Sequence, residues 1–227
     1  MLVIPAIDVR GGMVVQARGG QRSRYRSLRS ALGCTAHLSE VVGALLELHP
    51  FAVMYIADLD ALEGGTMRQA WLDEAVRRFP GVEFWMDAGL PSAPPGAAAG
   101  PRRIWASESG CGPRQLRRAG SGAILSLDFH GNRLLGDGRL LDEPQCWPRR
   151  IIVMQLDRVG GGQGPDRELL RRLGARAAGR AWYAAGGIRS LPQLWELRAM
   201  GMAGALCSSI LHRGHLVAGD IRALQRT

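Results

Sequence analysis

The chain has 227 residues, 46% of them apolar, and a formal charge of +9 that comes wholly from arginine, because lysine is absent. That length and apolar content provide one substantial core and argue against disorder, while no apolar run reaches the roughly 18 residues of a membrane helix. The first residues lack a charged leader followed by a long apolar stretch, so a cytoplasmic protein without a signal peptide is expected.

Eight short apolar runs, rich in β-formers and bounded by Gly or Asp, read as buried parallel strands: residues 2–7, 52–57, 82–86, 103–106, 123–127, 151–155, 181–184 and 203–207. Helix-period segments lie between several of them, at 39–48, 67–78, 165–173 and 191–200. The last has a start signal, with Ser190 as N-cap and Pro192 in its first turn. Other connections are thinner. Residues 91–101, with Pro94-Pro95 and an Ala/Gly run, can hardly carry a helix; 114–119 and 140–148 have room for a turn or two. No linker or composition break divides the chain, so residues 1–227 are expected to form one domain.

The strand exits repeat. Ile7-Asp8-Val9-Arg10-Gly11-Gly12 matches Leu127-Asp128-Phe129-His130-Gly131-Asn132, and the Asp58-Leu59-Asp60 exit matches Gln155-Leu156-Asp157. Ala88-Gly89-Leu90 pairs with Gly186-Gly187-Ile188, and Ala106-Ser107 with Cys207-Ser208. Four matches in one order imply two similar halves of four βα units, which close naturally into an α/β (β/α)8 barrel, a TIM barrel, with some outer helices shortened.

Reactive groups of such a barrel sit where strands end. Asp8 ends the first strand and Asp128 the fifth, on opposite sides of the mouth, an arrangement suited to removing a proton at one atom and delivering one at another. Each Asp alone is better read as a loop cap; the repeat-related pair points to function. Gly186, Gly187, Ser208 and Ser209, after the last two strands, occupy the usual phosphate position of this fold, where glycine lets backbone N–H groups approach oxygen closely. Asp58, Asp60 and Asp157 have two roles open to them, orienting substrate hydroxyls or binding the next helical turn. His130 is either a substrate contact or a surface histidine. The Gly160-Gly161-Gly162 stretch reads as a loop tip, and a nucleotide P-loop is excluded for want of Gly-Lys.

Arginines elsewhere fall mainly on outer helices, as at Arg77-Arg78 and Arg171-Arg172, without a nucleic-acid-reading motif, so nucleic acid is not an expected partner. One cluster stands apart: Arg18, Arg22, Arg24, Arg26 and Arg29 crowd the stretch after the first strand, and the first three are candidate contacts for an anionic substrate. Cys34, Cys111, Cys146 and Cys207 lack CxxC spacing and no second ligand pair accompanies Cys34 and His37, so no metal site or disulfide frame is expected.

These motifs resemble the histidine-biosynthesis barrel family, which contains ProFAR isomerase and a related cyclase subunit. The resemblance spans nearly the whole chain and rests on Ile4-Pro5-Ala6-Ile7-Asp8, on Tyr55-Ile56-Ala57-Asp58-Leu59-Asp60-Ala61, on Leu125-Ser126-Leu127-Asp128 and on Gly186-Gly187-Ile188. It implies Asp8 as general base and Asp128 as general acid in an Amadori-type aldose–ketose isomerisation of a phosphorylated aminosugar, with no cofactor. The family pattern breaks in the first half. Where relatives carry a Gly-Gly-Gly-Ile-Arg phosphate loop, this chain has Asp87-Ala88-Gly89-Leu90-Pro91, and its fourth strand leads into Glu108. Asp87 and Glu108 would repel a phosphate there, so a diverged paralogue is expected, with one phosphate site lost and these two carboxyls facing the substrate. The Arg22-Ser23-Arg24-Tyr25-Arg26 loop also resembles a branch found near genes for one-carbon carrier cofactors (tetrahydromethanopterin and methanofuran). A paralogue serving that synthesis and a non-catalytic metabolite-binding barrel are the alternatives.

Overall fold

A computed structural model describes residues 1–65, 69–91, 100–120 and 122–226. Eight parallel strands form the barrel: β1 (Leu2–Arg10), β4 (Val53–Asp58), β5 (Glu83–Asp87), β6 (Arg102–Ala106), β7 (Ile124–His130), β9 (Arg150–Gln155), β10 (Ala181–Ala185) and β11 (Gly204–Cys207). Pairing of β11 with β1, Leu2 opposite Gly204 through Pro5 opposite Cys207, closes the ring. Each expected strand is present within a few residues of its expected bounds.

Three short strands escape the apolar pattern. After β1 the chain turns at Gly11-Gly12, both with positive φ, and β2 (Met13–Gln16) folds back antiparallel, itself paired with β3 (Arg26–Ser27). After β7 it turns at Gly131, φ 57°, and β8 (Arg133–Leu134) does the same. The two halves of the repeat thus share a hairpin as well as a strand exit. Each hairpin extends the barrel wall above the mouth.

The outer layer comprises α1 (Leu38–Leu48), α2 (Leu59–Leu62), α3 (Gln69–Arg78), α4 (Pro113–Ala119), α5 (Arg139–Asp142), α6 (Arg167–Gly174), α7 (Leu191–Ala199), α8 (Ser209–His212) and α9 (Ala218–Gln225). The thinned side is where the sequence places it, with α4, α5 and a 3₁₀ turn at Pro144–Cys146 around β7. The expected start of α3 at residue 67, and residues 92–99 of the Pro-containing connection, lie outside the described residues. Ser190 is the N-cap residue of α7 and Pro192 lies in its first turn, as expected, although the Ser190 hydroxyl makes no capping bond and the preset φ of Pro192 supports the helix start. No helix among the described residues is long and apolar enough to cross a membrane.

Strand alternation divides the apolar side chains into two cores. Val3, Ile7 and Val9 of β1, Phe84 and Met86 of β5, and Leu125, Leu127 and Phe129 of β7 point outward under the helices. Ile4, Tyr55, Trp85, Ile104, Ile124, Ile152, Tyr183 and Leu206 fill the lumen. Trp85 and Tyr183 meet edge to face at 5.0 Å across it. Gly204 makes room for that contact, since a Cβ there would lie 2.7 Å from the Tyr183 ring. The lumen is therefore a packed plug, and only its C-terminal mouth is open to a ligand.

Candidate active site

The same alternation decides which strand-end residues reach the mouth. On β1 the lumen-facing series is Ile4, Ala6, Asp8; on β7 it is Ile124, Ser126, Asp128; on β5 it is Trp85, Asp87. These three carboxyls, with Glu108 just beyond β6, line one cavity of about 590 Å³. Around the ring β4, β5 and β6 separate β1 from β7 on one side, and β11, β10 and β9 on the other. Asp8 and Asp128 therefore face each other over the cavity, as the strand positions predict.

Their surroundings differ. Asp8 is half-buried, and among the described residues its carboxyl has no hydrogen-bond partner. Burial pushes its pKa up to about 6, with the nearby Arg22 guanidinium limiting the rise. Asp128 is 1% exposed and tightly held. The Ser126 hydroxyl donates to Oδ1 at 2.6 Å, and the Ser107 hydroxyl and Glu108 N–H donate to Oδ2, each at 3.0 Å. Burial still raises its pKa, because desolvation outweighs those three bonds.

Ser107, fully buried, works in both directions: its oxygen also accepts the Asp128 N–H at 2.8 Å. Ser107→Ala leaves a buried N–H and a carboxylate oxygen short of partners, and is expected to cost about 1 to 3 kcal/mol in urea denaturation. A loss of a few tenths of a kcal/mol, on the order of a surface change, would show that water replaces the hydroxyl.

Beside this pair stand Asp87 and Glu108. Asp87 is 2% exposed; the Tyr55 hydroxyl donates to its Oδ2 at 2.9 Å, and Oδ1 has no partner. Burial, reinforced by Asp128 and Glu108, pushes its pKa up to about 7. Glu108 pairs with Arg22 at 2.6 Å, yet its pKa is also raised, because burial and Asp128 outweigh the arginine. Arg22 thus lines the cavity, as a candidate substrate contact should, while its guanidinium is engaged by a carboxylate of the protein. Its backbone carbonyl is in turn held by Arg10 at 2.7 Å.

The opposite half of the mouth has another character. Gly186, Gly187, Ser208 and Ser209 line it, with Arg189, Arg213 and the Gly160-Gly161-Gly162 loop. Among the described residues, neither the Gly187 nor the Ser208 backbone N–H is used within the protein. Gly186 is required sterically: φ is 105°, and a Cβ would lie 2.4 Å from the Gln155 carbonyl oxygen. The loop tip is likewise packed. Gly160, φ 70°, sits where a Cβ would come within 2.2 Å of the Ala17 carbonyl oxygen, so the loops after β2 and β9 touch.

Other candidates sit elsewhere. Asp58 follows the inward Tyr55 and Ala57, so alternation turns it outward; its Oδ1 accepts the Ala61 N–H and caps α2. Asp60 accepts the Gly11 N–H at 2.6 Å. Asp157, in a 3₁₀ turn, does not line the cavity. For Asp58 and Asp60 the loop-binding alternative fits the geometry better than substrate contact, whereas the buried Asp157 Oδ1 has no hydrogen-bond partner among the described residues. Arg18 and Arg24 line a separate shallow groove with Ser23 and Arg26, adjoining the mouth at Gly19 and Gly160. His130 is exposed at the rim of the main cavity. Tyr25, Tyr55, Arg189 and Arg213 also line the cavity and are not among the candidate residues that the sequence singles out. Tyr55 was recoverable from strand parity and Arg189 from its place after Gly186-Gly187-Ile188, whereas Tyr25 and Arg213 carry no local signal. Among the described residues no group of three or more His, Cys, Asp or Glu is arranged to hold a metal ion.

Comparison with known proteins agrees with this geometry. The family model described as "Histidine biosynthesis protein" matches residues 145–217, which include β9, β10 and β11. Over 93% of the chain and 90% of the relative's length, the protein is 27% identical to the phosphoribosyl imidazole-carboxamide isomerase of an Arthrobacter species. It is 27% identical to the isomerase of the same name from Cutibacterium acnes, over 95% of the chain and 89% of that relative. An uncharacterized protein of Methanocaldococcus jannaschii is 24% identical over 97% of both chains. In strand exits, barrel and matches together, the chain is similar to the histidine-biosynthesis barrels over nearly its whole length, at the distance of a diverged paralogue.

Proposed function

We propose that the protein is an isomerase-like enzyme that moves a proton within a small phosphorylated metabolite, using Asp8 as base and Asp128 as acid and needing no cofactor. The observation that carries this reading is the pair of lumen-facing carboxyls on opposed strands of one cavity. In an Amadori-type step on an aminoaldose, Asp128 gives its proton to the ring oxygen as the C1–O bond breaks and the imine forms. Asp8 then takes the proton from carbon 2, and the resulting enaminol ketonises. A base with a pKa near 6 is mostly ionised at neutral pH yet still basic, and burial shifts Asp128 in the direction a proton donor needs.

The anion of the substrate sits against the free N–H groups of Gly187 and Ser208, with Gly186, Ser209, Arg189 and Arg213 around it. The first-half phosphate site of the related isomerases is lost, because Asp87 and Glu108 occupy that side of the mouth. The substrate therefore carries one phosphate rather than two, and the histidine-pathway reaction itself is not the activity. Incubation of an N-aryl ribosylamine 5-phosphate with the protein in D2O tests the chemistry: a ketose product is expected with deuterium at carbon 1, where the enaminol takes up solvent hydrogen as carbon 2 becomes the carbonyl. Absence of exchange, or rescue of a strain lacking the histidine isomerase, contradicts the reading.

A further inference from the structure

Asp87 is a buried carboxyl that the acid–base pair does not use. Asp87 lines the cavity; one of its oxygens is satisfied by Tyr55 and the other, buried, has no hydrogen-bond donor. Four carboxyls, Asp8, Asp87, Glu108 and Asp128, line the cavity there, and Arg22 is the cation placed among them. Arg103 attracts Asp87 from the outward side of β6, but it does not line the cavity. The mouth therefore has an unmet need for positive charge and for an N–H donor at one point, beside β5 and β6.

We infer that this half of the mouth binds a basic nitrogen of the substrate, an ammonium or amidinium held between Asp87 and Glu108. The inference rests on the reading of Gly187 and Ser208 as the anion site, and it names the far end of the same molecule. Around the barrel β5 faces β10 and β6 faces β11. A ligand with phosphate at Gly187 and Ser208 thus reaches Asp87 and Glu108 directly across the lumen, passing between Asp8 and Asp128. A second phosphate there would meet two carboxylates at close range. A hydroxyl would satisfy the Asp87 oxygen but leave the charge unanswered. A protonated nitrogen does both, through charge-assisted hydrogen bonds. The substrate class is a phosphomonoester with a cationic nitrogen at its other end.

Calorimetric titration with ω-aminoalkyl phosphates of increasing length, and with the matching alkyl phosphates and alkane bisphosphates, tests this. At the best chain length the amine is expected to bind about tenfold or more tightly than the alkyl phosphate, as one charge-assisted bond gives. Asp87→Asn and Glu108→Gln are each expected to shrink that ratio toward one, and circular dichroism confirms that both variants fold. Equal affinity of amine and alkyl phosphates, or tightest binding by the bisphosphate, overturns the inference while leaving the anion site standing. Should no phosphate ligand bind, the anion site is what fails. Pentylamine alone then reads the acidic half: binding weakened by Asp87→Asn upholds the cation pocket, and no binding rejects it.

Discussion

Asp87→Asn is expected to raise the melting temperature at about pH 8 by several degrees, and to change it little near the acid end of the stable range. The reason is linkage. The Asp87 carboxyl titrates near 3.9 in an unfolded chain and near 7 in the folded protein. Between those two values the native state binds more protons than the unfolded state, so stability falls as pH rises through this window and is level above it. A shift of about three units corresponds to about 4 kcal/mol at pH 8, but only about 1 kcal/mol near pH 4.5. Asn removes the titration and can still accept the Tyr55 hydroxyl. At roughly 2 to 4 °C per kcal/mol for a chain of this size, the gain is on the order of 10 °C. Thermal melts of both proteins from about pH 4.5 to 8 check it. A pH-independent difference would mean that Asp87 is already neutral, or is paired with Arg103 more closely than the unpartnered Oδ1 suggests. Stability forgone at a cavity wall is what a binding carboxylate incurs in the absence of its ligand.

Much of the barrel is legible in the sequence because buried parallel strands are apolar on both faces and therefore stand out as short runs. The repeat of Asp8 with Asp128, and of their neighbours, then orders those runs into two halves. The hairpins at β2–β3 and β8 are illegible for the opposite reason. They are only two to four residues long, too short for an apolar run to stand out, although Val14 and Leu134 are buried in the core, and they are ordered by pairing with β1 and β7. Within the site, parity was the unused signal. Counting in twos from Ile4 and Ile124 puts Asp8 and Asp128 in the lumen, and the same count from Tyr55 turns Asp58 away. The Arg22–Glu108 pair joins residues 86 positions apart, and no local pattern announces such a contact. The sequence nevertheless marks Glu108 as anomalous, since a carboxylate stands where relatives hold phosphate.

Asp8→Asn and Asp128→Asn are each expected to lower the rate of isomerisation, read as deuterium entering carbon 1, by about 10² to 10⁴, the usual worth of a positioned acid or base. The two losses have different signatures. The amide introduced by Asp8→Asn cannot take a proton at any pH, so the residual rate of that variant is flat where the wild type has a limb. In the wild type kcat/KM falls with unit slope below about pH 6, as Asp8 becomes protonated. Arg22→Gln removes the cation that limits the rise in the Asp8 pKa, so this limb moves to higher pH while the base itself stays intact. The amide introduced by Asp128→Asn can still accept the Ser126 hydroxyl bond, but it has no acidic proton for the ring oxygen. The deficit of that variant therefore shrinks on a substrate that is already open-chain, such as a preformed imine. Asp8→Asn gains nothing from that substrate, because removal of the carbon-2 proton follows ring opening. Equal rescue of both variants by the open-chain substrate would contradict the assignment of base to β1 and acid to β7. Retained inorganic phosphate binding in both variants, followed by calorimetry, separates a lost proton transfer from a collapsed mouth.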